Sequence, residues 1–143
     1  MTQALEGFTG EVVINGDLFT GQSVNSLPEG IGVMLGRGLV ANPAMARGLS
    51  GGEPLRKEEL IRFHDRLEQE LSALYQPDIV FMKLRVVMKH LACCFADTGR
   101  LERKLRKSRN LRELLETDRL LFDTCELKAE PAFVPDELRE GQV

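Results

Sequence analysis

The sequence predicts a mixed α/β chain, mostly helical, with two βα units followed by a small helical bundle. Three observations carry this. Two short apolar runs, Glu11–Ile14 and Ile31–Leu35, each lead into a glycine turn. A glycine-rich stretch at 49–54 then interrupts the pattern. Beyond it the apolar period changes from continuous to helical.

The elements follow in order. Both apolar runs read as buried parallel strands, because they are continuous rather than alternating. Asn15-Gly16-Asp17 is the first turn, and a short helix over 20–27 ends before Pro28. Gly36-Arg37-Gly38 is the second turn, followed by a short helix over 39–47 with Pro43 near its start. The organisation expected is 1–48 for the βα part, 49–55 for a linker, 56–123 for the helical part, and 124–143 for an acidic, disordered tail. Leu60, Phe63, Leu67, Leu71 and Leu74 form the stripe of a helix over 56–74, and His64 falls on that apolar face as a core histidine. Asp78 is the expected cap of the next helix, whose stripe is Val80, Leu84, Val87, Met88, Leu91 and Phe95. Leu101 and Leu105, then Leu111, Leu114 and Leu115, mark two shorter helices with a break near 108–110.

With 143 residues, 43% of them hydrophobic, the chain can build one domain or two small ones. The net charge of -3 names no partner, but its distribution is uneven. Residues 83–112 carry ten Lys or Arg against Asp97 and Glu102, whereas 113–143 carry nine acids against three bases. Cys93, Cys94 and Cys125 show no disulfide framework and no metal spacing, so a reduced, cytoplasmic setting is expected. Neither a membrane span nor a signal peptide is marked.

Two consecutive strand–glycine junctions suggest a grip on one anionic group, since amides at a helix start point outward with partial positive charge. In an eight-stranded βα barrel the loops after the last two strands commonly build a phosphate site. Arg37 would add a charge-assisted donor, Asp17 a helix cap, and Asn15 a brace for the turn. Ordinary turn chemistry is the competing reading. On the second long helix, Lys89 lies opposite the apolar stripe, Arg85 beside it, and His90 on its flank. Arg100, Arg103, Lys104, Arg106, Lys107 and Arg109 follow within ten residues. Such a run is either a solvated face or a contact for a phosphate backbone, which would relieve its self-repulsion. Aromatic platforms for unpaired bases are scarce.

The words "VVINGDLF" (12–19) and "GVMLGRGLVANP" (32–43) resemble the end of the barrel in the tRNA-dihydrouridine synthase family. The stretch "RVVMKHLACCF" (85–95) resembles that family's helical domain, whose hallmark is a basic-Lys-His-Leu run. His64 and Tyr75 also stand where the family often has a His and a Tyr. The resemblance implies the last two βα units of a TIM-type barrel. It implies FMN as cofactor, its phosphate held by Asn15, Gly16, Asp17, Gly36 and Arg37. It also implies tRNA as partner, met by Arg85, Lys89, His90, Arg100 and Lys104. For the full enzyme it implies that NADPH reduces the flavin, that a hydride reaches uracil C6, and that a cysteine protonates C5. None of Cys93, Cys94 and Cys125 stands at that cysteine's place, and such a barrel needs eight strands in about 250 residues. The chain is therefore expected to be a truncated portion without catalytic or metal-binding residues, inactive alone. The alternatives are a non-catalytic helical RNA-binding module, or a fragment whose open strands pair with the missing barrel half or another copy of the chain.

Overall fold

In the computed structural model, residues 9–16 and 18–133 are described. The first apolar run forms β1 (Val13–Asn15), and the second forms β2 (Gly32–Met34). They pair in parallel, with Val13 opposite Gly32 and Asn15 opposite Met34. Between them lies α1 (Gly21–Asn25), started by a capping box in which Thr20 and Ser23 each satisfy the other's backbone N–H. The strands are not buried as expected: Val13 is 60% exposed and Met34 58%. Two strands alone leave one sheet face without a covering layer, so only Ile14 and Val33 are half-buried.

The helix expected over 39–47 is two helices, α2 (Arg37–Ala41) and α3 (Met45–Leu49). Pro43 separates them, because proline lacks an N–H and pushes the preceding residue out of the helical region. Asn42 accordingly sits at φ -144°, ψ 86°, and its Oδ1 accepts the Ala44 N–H at 3.2 Å. The glycine-rich stretch expected as a linker is held down. Arg47 donates to the Glu53 and Pro54 carbonyls and to both carboxylate oxygens of Glu59 at 2.8 and 2.9 Å. Leu55 is buried in the main core.

The bundle has four helices, α4 (Lys57–Leu74), α5 (Pro77–Leu91), α6 (Gly99–Lys107) and α7 (Leu111–Thr124), with one 3-10 turn at Ala92–Cys94 after α5. On α4 the buried face is Leu60 and His64, with Ile61, Leu67 and Leu71 partly buried. Phe63 and Leu74, expected in the stripe, are exposed. Pro77 takes the first position of α5 and Gln76 the cap, so Asp78 lies inside the first turn, favourable to the helix dipole, instead of capping it. Val80, Leu84, Met88 and Leu91 point α5 into the core. It packs against α2, α4, α6 and α7 and is the hub of the molecule. Asn110 caps α7 through the Glu113 N–H at 2.9 Å, while the Glu113 carboxylate returns to the Arg109 N–H.

The tail expected from 124 onward is ordered as far as Phe133. The Glu126 carbonyl accepts the Ala96 N–H at 2.9 Å, and the Lys128 N–H reaches the Cys94 carbonyl at 2.8 Å. Leu127 thereby bridges antiparallel to Phe95. Asn42 Nδ2 donates to the Pro131 carbonyl at 3.2 Å, and Phe133 is buried with Ala41, Cys93 and Phe19. Composition pointed to fraying because acids dominate here. Backbone pairing and two apolar anchors, Leu127 and Phe133, outweigh it. Residues 134–143 of the expected tail lie outside the described residues.

Candidate functional site

The parallel register sets the ends of β1 and β2 side by side, so Gly16 and Gly36 lie at the same end of the sheet. Gly16 has φ 117°, a conformation open mainly to glycine. Gly36 precedes α2, and its carbonyl accepts the Leu39 and Val40 N–H groups. A Cβ added to either glycine would meet nothing within 4 Å. Gly38 is different: a methyl there would overlap the Leu18 carbonyl oxygen and crowd Phe19. Its bareness lets the β1–α1 loop close onto α2.

Asn15, Gly36 and Arg37 are exposed at this end. The Arg37 guanidinium lies over the rings of Phe19, at 5.4 Å, and Phe133, at 5.2 Å. Asp17, also expected here, lies outside the described residues. Two open glycine turns and one arginine beside the C-terminal ends of parallel strands fit the phosphate end of a nucleotide cofactor. Nothing on these two strands surrounds a flavin ring.

The expected basic contacts fall into two grooves. Arg85 and Lys89 line the first, of about 410 Å³, with Arg106 and one carboxylate, Glu102, from α6, and the apolar Val86, Ala92 and Leu105. Arg100 and Lys104 line the second, of about 810 Å³, with Arg103, Lys107, Leu120 and Thr124. Reading by sequence selected four of these cations and missed Arg103, Arg106 and Lys107 as partners, although all stood in the same run. His90 joins neither groove. It is half-buried, with its ring 5.0 Å from that of Phe133.

The three cysteines are buried and unpaired with one another. Cys94 donates to the Ala41 carbonyl, and burial pushes its thiol up to about 12, so no thiolate forms near neutral pH. Among the described residues there is no cluster of metal-ligating side chains. His64 is the core histidine expected. Its Nε2 lies 3.2 Å from Asp118 Oδ2 and its Nδ1 3.2 Å from Asp65 Oδ1, against the Phe122 ring. Burial opposes the charged imidazole, but Asp118 and then Asp65 outweigh it and raise the His64 pKa. Burial also raises the Asp118 pKa, against the pull of His64.

The chain joins a two-strand βα end to a helical bundle that carries two grooves lined by cations. The family model "Dihydrouridine synthase (Dus)" matches residues 3–130, and the chain belongs to that family. The family is flavin-dependent and acts on tRNA. No curated protein and no solved structure matches the chain. No helix among the described residues is long and apolar enough to cross a membrane.

Proposed function

We propose that this chain carries the flavin-phosphate grip and the tRNA-binding helices of a tRNA-dihydrouridine synthase, which reduces uridine to 5,6-dihydrouridine in tRNA. The observation that carries the reading is the parallel register of β1 and β2, which brings Gly16, Gly36 and Arg37 to one end of the sheet. FMN, reduced by NADPH, supplies the hydride chemistry when bound. The Asn15 side-chain amide and the backbone N–H groups around Gly16 and Gly36 would donate to the phosphate, and Arg37 would offer it a forked set of N–H donors. Arg85, Lys89, Arg100 and Lys104 neutralise tRNA phosphates.

In this reading the chain holds and orients cofactor and tRNA, and the general acid for C5 is not assigned to Cys93, Cys94 or Cys125. A second reading is favoured by the exposed Val13 and Met34: the open sheet completes a barrel with another chain. A cytoplasmic setting follows from the tRNA partner. The test compares FMN with riboflavin, which lacks only the phosphate, by titration calorimetry. Tighter binding of FMN that disappears in Arg37→Ala supports the grip. Equal affinity for the two flavins overturns it. A gel shift with tRNA across salt tests the grooves, and binding undetectable even at low salt overturns that part.

A further inference from the structure

The acidic segment after α7 does more than end the chain. From Glu126 it runs back across the bundle, pairs with Phe95, accepts from Asn42 through the Pro131 carbonyl, and ends with Phe133 buried against the βα end. There Phe133 meets Phe19 edge-on, with ring centroids 5.0 Å apart. Each ring lies within cation–π distance of the Arg37 guanidinium, at 5.4 Å from Phe19 and 5.2 Å from Phe133. Phe133 lies outside residues 3–130, the part that the family model matches.

An exposed arginine has four flexible torsions and spends little time in any one geometry. Aromatic faces attract the faces of a guanidinium and restrict the torsions of its side chain. Phe19 belongs to the first turn and Arg37 to the second, so the pair is local to the anion site. Phe133 arrives from about a hundred residues away in sequence, delivered by the docked segment.

We propose that the segment 126–133 is a strap that positions the anion-binding arginine: Phe133 and Phe19 together hold the Arg37 guanidinium ready for the cofactor's phosphate. The proposal rests on the reading of Arg37 as a phosphate ligand. Phe133 touches no phosphate and is a positioning residue. The strap also makes the grip depend on the helical bundle, since α5 and the turn after it provide the surface on which the strap lies.

The test uses the whole chain and two readouts. The first is the NMR shift of the Arg37 Hδ and Hε protons, which ring currents move upfield when the guanidinium sits over aromatic faces. The second is the ratio of riboflavin to FMN dissociation constants. Phe133→Leu keeps apolar volume and removes the ring, while Phe133→Tyr keeps the ring. In the wild type and Phe133→Tyr the protons are upfield-shifted and FMN is preferred. In Phe133→Leu the shift collapses and the preference falls about threefold to tenfold, the size of one cation–π contact. Unshifted Arg37 protons in the wild type overturn the clamp. A lost shift with an unchanged FMN preference overturns the positioning role. A wild-type ratio near one that Arg37→Ala leaves unchanged fails the phosphate reading instead, and takes the positioning role with it. The proton shifts then still report whether the clamp forms.

Discussion

Arg37 and Gly38 are neighbours with opposite requirements. Arg37 needs reach and a forked head; Gly38 needs to be bare, because the Leu18 carbonyl occupies the place of any side chain. Gly38→Ala is therefore expected to destabilise the chain by about 1–3 kcal/mol through forced separation of the two turns. Urea denaturation would show it, and the FMN preference should fall with it. His64 and Asp118 set a second residue-scale expectation. Both have folded pKa values raised above their ordinary ones. A raised folded pKa contributes stability below the unfolded value, and that stability is lost as pH rises through the folded value. For His64 the window opens near its ordinary value of about 6.5 and extends upward. The unfolding free energy should fall as pH rises above about 6.5, and His64→Gln should flatten that slope. An unchanged slope in the variant would remove His64 as its source.

Among the elements, α5 carries the most. One face holds Val80, Leu84, Met88 and Leu91 in the core, and the other offers Arg85 and Lys89 to the groove shared with α6. Leu84 is fully buried at the helix hub, so Leu84→Ala should cost about 2–5 kcal/mol, read from the denaturation midpoint. Lys89→Glu should cost less than Leu84→Ala, because Lys89 is exposed and lies outside the core. The same variant should weaken tRNA binding and lower the salt slope by about one phosphate or more. If tRNA affinity is unmoved, the groove between α5 and α6 is a solvated face. The element boundaries follow local chemistry: Pro43 divides α2 from α3, Pro77 starts α5, and Asn110 with Glu113 starts α7.

At the scale of the whole molecule, the sheet is the unfinished part. Val13 and Met34 expose a face that a third layer or further strands would cover in a barrel. If another chain completes it, light scattering should show association at micromolar concentration, and Val13→Lys with Met34→Lys should abolish it. A wild-type chain that remains monomeric at high concentration would reject completion by self-association. The βα end and the bundle otherwise act together, because α2 packs on α5 and the segment 126–133 ties both.

What the sequence determined by itself is everything set by neighbours along the chain. The strand–glycine junctions, the helical periods, the break near 108–110 and the basic run are local patterns, and each is present in the structure. So is the core placement of His64, which follows from helical spacing alone. What only the tertiary structure decided depends on contacts between distant residues. The strands lie exposed because burial needs a covering layer, which their own apolar content cannot provide. His90 turned to Phe133 while Arg106 joined Arg85 and Lys89, because groove membership is set by how two helices pack. The segment after α7 docked because Leu127 and Phe133 found partners on the 3-10 turn and on the βα end, roughly thirty to a hundred residues away in sequence. Its acidic composition carried no sign of those partners.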